Sequence, residues 1–249
     1  MTSPLLLITG GGRGIGAACA QLAGRRGYTV CINYLRDADA AMAVAGAIEH
    51  AGGSALTIQA DVAREAEVLR MFAEIDARFG RLDALVNNAA ILGKQMRVDR
   101  MDAARIERIL ATNVTGSFLC AREAVKRMST AHGGVGGAIV NISSRAAVLG
   151  SAGEYVDYAA SKAAVDALTI GLSKEVAAEG IRVNGVRPGL IRTEMHASGG
   201  EPGRVSRLQG SVPMGRGGEA EEVAEAVLWL LSPQASYTTS SFIDVSGGR

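Results

Sequence analysis

Short apolar segments alternate along the chain with longer segments in which apolar positions recur every three or four residues. The short segments predict β-strands and the longer ones predict amphipathic helices. The predicted strands are Leu5–Thr9, Tyr28–Tyr34, Ala55–Ala60, Ala84–Val86, Ala138–Ser143, Arg182–Val186 and Phe242–Val245. The predicted helices lie near residues 14–26, 37–51, 64–79, 101–129, 155–179 and 219–231.

Several predicted strands are apolar at every position rather than at alternate positions, as in "LLLI" at residues 5–8. Continuous apolar strands are typical of a parallel sheet that has helices on both faces. No linker, internal repeat or low-complexity tract divides the chain. We therefore predict one α/β domain over residues 1–249, with a doubly wound parallel sheet of about seven strands. Such sheets bind ligands beyond the carboxyl ends of their strands.

Composition and charge narrow the range of partners. The chain has 249 residues, 48% of them hydrophobic, with 26 basic and 25 acidic side chains. This balance does not indicate nucleic-acid binding, and the apolar runs are too short to span a membrane. No secretory signal is recognisable, so a cytoplasmic protein with a small-molecule substrate is predicted.

Neither cysteine nor histidine forms a recognisable metal-binding or catalytic pattern. Cys19, Cys31 and Cys120 are widely spaced and are predicted to be reduced core residues. His50, His132 and His196 are predicted to lie on the surface or in loops and are given no chemistry. No metal site is predicted.

A glycine-rich loop, "TGGGRGIG" at residues 9–16, follows the first strand and opens a helix. Backbone amides at a helix N-terminus suit a pyrophosphate, because the helix dipole favours the negative charge and glycine allows close approach. The loop therefore predicts a dinucleotide site. Gly12, Gly14 and Ala17 fit one glycine template, whereas Gly10, Gly14 and Gly16 fit another, and the pattern alone does not choose.

The end of the second strand, "CINYLRDADAA", bears on which dinucleotide binds. An NAD site commonly has an acidic residue here, whereas an NADP site supplies cations to the 2′-phosphate. The strand closes on Asn33 and Tyr34, and Arg13 and Arg36 can embrace a phosphate. NADP(H) is favoured. NAD(H) remains possible, because Asp37 lies 21 residues after Gly16.

Tyr158 lies four residues before Lys162, which places both on one face of a predicted helix. A phenol titrates near pH ~10 in isolation, and a nearby ammonium favours the phenolate. Hydride transfer to a carbonyl also requires a proton for the carbonyl oxygen. The pair is therefore a candidate for acid/base chemistry, although Y-x-x-x-K alone is a weak motif.

The motifs together are far more specific than any one of them. The glycine loop is followed in order by "NNAA" at 87–90, "ATNVTG" at 111–116, "VNISS" at 140–144, Tyr158 with Lys162, and "VNGVRPGLIRT" at 183–193. In this order and spacing the chain resembles the short-chain dehydrogenase/reductases over essentially its whole length. The resemblance implies a Rossmann-type fold, a homotetramer, and loop phasing on Gly10, Gly14 and Gly16.

The resemblance also implies roles for individual residues. The implied catalytic tetrad is Asn113, Ser144, Tyr158 and Lys162, with Ser143 as a neighbouring hydroxyl that competes with Ser144. Asp61 and Val62 would lie beside adenine, and Ile191 and Thr193 would contact the nicotinamide carboxamide. The full set of expected cofactor contacts is Gly10, Arg13, Gly14, Ile15, Gly16, Asn33, Tyr34, Arg36, Asp61, Val62, Asn87, Ala89, Tyr158, Lys162, Pro188, Gly189, Ile191 and Thr193.

The expected activity is an NADP(H)-dependent interconversion of a carbonyl and an alcohol. The alternatives are a catalytically silent nucleotide-binding sensor or scaffold, and an NAD-dependent sugar or alcohol dehydrogenase. A substrate loop at about residues 190–214 is expected to act as a lid. The chain departs from the family pattern at Ala90 and near Ser240, where relatives commonly have glycine.

Overall fold

The computed structural model describes residues 3–249, and one parallel sheet runs through them. Its strands are β1 (Leu5–Ile8), β2 (Thr29–Tyr34), β3 (Ser54–Gln59), β4 (Ala84–Asn87), β5 (Gly137–Ile142), β6 (Ile181–Pro188) and β7 (Phe242–Val245). Their order is β3-β2-β1-β4-β5-β6-β7, and every neighbouring pair is parallel. The predicted sheet is confirmed, and each predicted strand ends within two residues of the observed bounds.

Helices connect the strands. They are α1 (Gly14–Arg25), α2 (Ala38–His50), α3 (Glu65–Phe79), α4 (Ala103–Leu110), α5 (Gly116–Met128), α6 (Ala146–Leu149), α7 (Val156–Val176), α8 (Met195–Ser198), α9 (Arg204–Leu208) and α10 (Ala220–Leu231). The helix predicted near residues 101–129 divides into α4 and α5, which are joined by a π-helical turn at Ala111–Thr115. The short helices α6, α8 and α9 were not predicted, because four or five residues carry no readable periodicity.

The sheet is buried on both faces. Leu6 and Ile8 of β1 belong to a core shared with α1, α2 and α10. Leu5 and Leu7 belong to a second core shared with α3 and α5. Because side chains alternate between the faces of a strand, a sheet covered on both sides needs apolar residues at consecutive positions. This explains the continuous "LLLI" segment and confirms the predicted doubly wound arrangement.

The strand order reverses next to β1, which places a crevice at the carboxyl edge of the sheet. From β1 the chain first builds outward through β2 and β3, and then returns to the other side of β1 with β4. The connections leaving β1 and β4 therefore diverge, and ligands bind at such a switch point. Across residues 3–249, no helix combines the length and the apolar character needed to cross a membrane.

The two departures from the family pattern differ in their backbone conformation. Ser240 has φ +59°, in the left-handed region that favours glycine. Ala90 does not have a positive φ. Among the described residues other than glycine, only Ser151 and Ser240 do. Alanine at position 90 therefore causes no backbone strain, whereas Ser240 is strained in the turn before β7.

Candidate active site

A cleft of about 1200 Å³ lies at the carboxyl edge of the sheet. Most of the predicted site residues line it. They are Gly10, Arg13, Gly14, Ile15, Asn33, Tyr34, Arg36, Asp61, Val62, Ala89, Ser144, Tyr158, Lys162, Pro188, Gly189, Ile191 and Thr193. Three predicted residues, Gly16, Asn87 and Asn113, are buried behind the lining instead.

The backbone of the glycine loop distinguishes the two glycine templates. Gly10 and Gly14 have φ +63° and +51°, which L-residues with side chains rarely adopt. A Cβ on Gly16 would lie 2.4 Å from the carbonyl oxygen of Gly10. Glycine is therefore required at positions 10, 14 and 16, as the family phasing implies. The Asn33 Oδ1 accepts from the Gly10 amide at 3.2 Å and supports the turn from below.

Of the two adjacent asparagines that follow β4, the second one reaches the cleft. Asn87 is buried, and its Nδ2 donates to Asn141 Oδ1 at 3.0 Å, so it links strands rather than lining the cleft. Asn88 lines the cleft, and its Nδ2 donates to the carbonyl oxygens of Thr9 and Gly10, each at 3.0 Å. The resemblance includes Asn87 among the cofactor contacts, but in the structure it is not part of the cleft lining. Sequence reasoning missed Asn88, although it stands beside the chosen residue in "NNAA".

Two unpaired guanidinium groups lie at the end of the cleft nearest β2. Arg13 and Arg36 are exposed there, and neither forms an ion pair with any described residue. Asp37, the acid that keeps an NAD site possible, also lines the cleft, but one of its carboxylate oxygens is used in a helix cap. Its Oδ1 accepts from the Ala40 amide at 2.9 Å and caps α2. This end of the cleft therefore suits an anionic group such as a phosphate.

Three of the tetrad side chains meet on the floor of the cleft. Lys162 Nζ donates to the Ile142 carbonyl oxygen at 2.7 Å and lies 5.7 Å from the centre of the Tyr158 ring. The two serines after β5 differ in their environment. Ser143 is buried, with its Oγ donating to the Lys162 carbonyl oxygen at 3.2 Å, whereas Ser144 reaches the phenol of Tyr158. Ser144 is therefore the hydroxyl available to a ligand.

Burial dominates the ionisation of the tyrosine–lysine pair. It raises the pKa of Tyr158 to about 12, and the hydrogen bond from Ser144 offsets this only in part. Burial lowers the pKa of Lys162 to about 8, while the nearby Asp166 carboxylate acts in the opposite direction. The sequence predicted that the ammonium would favour the phenolate. In this structure burial has the larger effect, so Tyr158 is a protonated phenol at neutral pH.

Asn113 lies in the π-helical turn between α4 and α5, a distortion often found at functional sites. Its Oδ1 accepts from the Ile91 amide at 2.8 Å, and its Nδ2 donates to the Ile91 carbonyl oxygen at 3.1 Å. The same Nδ2 lies 3.0 Å from Ser161 Oγ, which donates to the Tyr158 carbonyl oxygen at 2.7 Å. Asn113 thus connects the cleft wall to the backbone of the tyrosine from a fully buried position.

The segment at residues 190–214, predicted to be the substrate loop, contains α8 and α9, and the ion pair from Arg204 to Glu154 ties it to the body of the protein. The buried guanidinium of Arg204 contacts Glu154 at 2.5 Å and Glu201 at 3.2 Å. It also lies 4.9 Å from the centre of the Tyr155 ring. Both Arg204 and Tyr155 line the cleft, so this cluster forms one wall of the region beyond the tetrad. Its cation is neutralised by two carboxylates.

His196 differs from its sequence-based expectation. It is half-buried on α8, lines the cleft, and its Nε2 lies 3.0 Å from the Ile191 carbonyl oxygen.

The three cysteines are buried and free, which confirms them as core residues, and burial raises the pKa of each to about 12. In the described residues, no cluster of three or more His, Cys, Asp or Glu side chains is arranged to hold a metal ion.

Comparisons with known proteins agree with this architecture. The sequence model of a family described as Enoyl-(Acyl carrier protein) reductase matches residues 10–249. The chain is 61% identical over 245 residues to the uncharacterized oxidoreductase YgfF of Escherichia coli strain K12, covering 98% of this chain and 99% of that protein. It is 37% identical over 244 residues to 3beta-hydroxysteroid dehydrogenase 1 of Eggerthella lenta, covering 98% and 92%, respectively.

A solved structure gives the same assignment. A short-chain type dehydrogenase/reductase from Mycobacterium marinum superposes with a TM-score of 0.92 at 35% identity, covering 98% of this chain and 94% of that one. Sequence and structure thus match over nearly the full length of the relatives. The chain belongs to the short-chain dehydrogenase/reductase family and is an oxidoreductase that acts on substrates of the CH–OH type.

Proposed function

We propose that the enzyme interconverts a carbonyl and an alcohol by NADP(H)-dependent hydride transfer, with Tyr158 as the acid/base group. One observation carries the proposal. The phenol of Tyr158, the hydroxyl of Ser144 and the ammonium of Lys162 share one cleft with the glycine loop and with two unpaired guanidinium groups. A dinucleotide lying along this cleft would have its phosphates at one end and its reactive ring beside the phenol.

The residues present fit such a dinucleotide. The amides of the glycine loop at the start of α1 would hold the pyrophosphate. Arg13 and Arg36 would hold the 2′-phosphate, and the capping role of Asp37 favours NADP(H) over NAD(H). Asp61 and Val62 would contact adenine, while Ile191 and Thr193, with the adjoining Pro188 and Gly189, would orient the carboxamide. When bound, the nicotinamide supplies or accepts the hydride.

In the reducing direction, the protein's own groups supply the proton. The Ser144 hydroxyl would donate a hydrogen bond to the substrate carbonyl oxygen and hold it beside Tyr158. The phenol proton would then pass from Tyr158 Oη to that oxygen as negative charge develops on it. Lys162 would stabilise the resulting phenolate and hold the ribose. Asn113 would support this arrangement through Ser161 and a water-mediated proton path.

The first experiment is a titration of the purified protein with NADPH and NADH, followed by nicotinamide fluorescence. A panel of ketones, 3-oxoacyl thioesters, hydroxysteroids and sugars is then added, and cofactor turnover is recorded. We expect tighter binding of NADPH and turnover with at least one compound class. Tight binding without any turnover would instead identify a nucleotide-binding sensor, and a preference for NADH would support the NAD-dependent alternative.

The lowered pKa of Lys162 predicts a loss of activity in alkaline solution. Because the group is protonated below about pH 8 and neutral above it, kcat/KM for NADPH is expected to be level below that pH and to fall above it. The decline should approach tenfold per pH unit. In Lys162→Arg the cation persists, so the alkaline decline should move to higher pH even if overall activity is lower. A wild-type profile that stays level to pH 10 would contradict this assignment.

We also propose that the enzyme is a cytoplasmic homotetramer, as its resemblance to the family implies. Large apolar side chains are exposed on several helices, among them Phe118 on α5, Ile170 on α7 and Trp229 on α10. Covering such surfaces is a usual function of subunit contacts. Light scattering at micromolar concentration should give about four times the mass of one chain. A monomer, or an unchanged assembly in the Phe118→Asp/Trp229→Asp variant, would contradict the proposed contacts.

A further inference from the structure

A buried ion pair joins α4 to the first turn of α7, directly beside the proposed acid/base tyrosine. Arg105 Nε donates to Asp157 Oδ2 at 2.6 Å, and Arg105 Nη2 lies 3.4 Å from Asp157 Oδ1. The two side chains are only 8% and 3% exposed. The same carboxylate accepts from the Tyr158 amide at 2.9 Å through Oδ1. The Asp157 carboxylate therefore links the Arg105 guanidinium to the backbone amide of Tyr158.

The opposite edge of the guanidinium holds the loop that forms the cleft wall. Arg105 Nη1 donates to the Lys94 carbonyl oxygen at 2.7 Å. A Cβ on Gly93 would lie 2.7 Å from Arg105 Cζ, so the loop backbone packs directly on the guanidinium. Ile91 and Leu92, at the start of this loop, line the cleft. Arg105 therefore contacts both the wall of the cleft and the element that carries the tyrosine.

This contact complements the one made by Asn113. The amide of Asn113 holds Ile91 at the beginning of the loop and reaches the Tyr158 carbonyl oxygen through Ser161. Arg105 holds the end of the loop and reaches the Tyr158 amide through Asp157. The two polar groups of the tyrosine backbone are thus bonded to Asp157 and Ser161. The partners of these two side chains, Arg105 and Asn113, hold the two ends of one wall segment.

We propose that Arg105 and Asp157 are positioning residues that fix the distance between Tyr158 and the cleft wall at residues 91–94. The expected effect on kcat rests on the proposed function, because a carbonyl substrate would lie between Tyr158 and this wall while it receives its proton. A buried ion pair often contributes little net stability compared with apolar residues of similar size. The role of this ion pair is instead to set the position of Tyr158 relative to the wall, and proton transfer is sensitive to displacements of about 1 Å.

The test replaces the pair with apolar residues in Arg105→Met/Asp157→Leu. We expect cooperative unfolding at a temperature close to that of the wild type, NADPH affinity within about twofold, and kcat lower by about ten- to a hundredfold. Asp157→Asn, which keeps an acceptor for the Tyr158 amide, should lose less. The matched control, Arg127→Gln/Asp76→Asn, removes the ion pairs of Arg127 with Asp76 on α3 and with Glu123 on α5. Neither substituted residue lines the cleft, so kcat should be unchanged.

A second measurement does not depend on turnover. The chain has five tyrosines, so 13Cζ labelling gives five ring resonances, and Tyr158→Phe assigns the one of interest. The Tyr158 resonance should shift in Arg105→Met/Asp157→Leu and not in the control, with the other tyrosines little changed. An unshifted resonance, or an unchanged kcat in a folded variant, would overturn the inference. If the double variant does not fold, Asp157→Asn is judged by the same two readouts. A wild-type enzyme without turnover would reject the proposed function, while a shifted resonance would still support the positioning role.

Discussion

Replacing Tyr158 with phenylalanine is expected to reduce kcat by about 10²- to 10⁴-fold, the range usually lost with a general acid. The change removes only the hydroxyl, so the ring continues to fill its place on α7. Without Oη, the neighbouring hydroxyl is that of Ser144, which contacts the phenol in the wild type, and an aliphatic hydroxyl is a much weaker acid than a phenol. Steady-state rates with saturating NADPH and the best carbonyl of the panel measure the loss.

Binding measurements separate lost chemistry from lost structure in this variant. NADPH affinity should be nearly unchanged, because Lys162 and the glycine loop remain in place. Tyr28→Phe is a matched control, since it removes a hydroxyl from a partly buried tyrosine that does not line the cleft. Its kcat should equal that of the wild type. A Tyr158→Phe enzyme that retained most of its turnover would show that another group transfers the proton.

Replacing both Arg13 and Arg36 with alanine is expected to lower kcat/KM for NADPH by about a hundredfold or more. A hydrogen bond to a charged group contributes about 1.5–3 kcal/mol, and about 1.4 kcal/mol corresponds to a factor of ten. Both guanidinium groups are exposed and lack ion-pair partners among the described residues, so their removal leaves no buried charge behind. The effect should therefore be confined to binding of the phosphate.

NADH provides the internal control, because it lacks the 2′-phosphate. The kcat/KM for NADH should change by less than about threefold, so the ratio of the two values should fall towards unity or below. Arg100→Ala removes an exposed cation that does not line the cleft and should change neither value. Equal losses with NADPH and NADH would mean that these residues support the pyrophosphate or the loop instead.

Most of the fold could be predicted from the sequence because the burial that stabilises it leaves a pattern of apolar residues within each short segment. Burial of the central strands on both faces demands consecutive apolar residues, as in β1 and β4, and this pattern stands out against the 3.6-residue period of the helices. The division between α4 and α5 could not be predicted from the sequence. A π-helical turn shifts the hydrogen-bonding partner by one residue and leaves the apolar spacing almost intact.

The residues of the candidate site could be predicted from the sequence where they lie close together in the chain. The glycine loop and the Tyr158–Lys162 spacing follow from one turn and one helix face, respectively. Neighbours with the same side-chain chemistry were harder to separate. Ser143 and Ser144, or Asn87 and Asn88, differ in the partners that their side chains meet where a strand ends, and only the structure shows which one of each pair makes a buried hydrogen bond.

The sequence by itself determined the alternation of strands and helices, the glycine-rich turn before α1 and the tyrosine–lysine pair, because each depends on contacts between residues near one another in the chain. Only the tertiary structure decided the electrostatics and the long-range positioning. Burial raises the pKa of Tyr158, and the hydrogen bond from Ser144, which lowers it, offsets this only in part. Arg105 and Asp157 are 52 residues apart and meet only because α4 packs against α7. Such effects depend on which distant segments exclude water from a group, and a linear pattern does not contain that information.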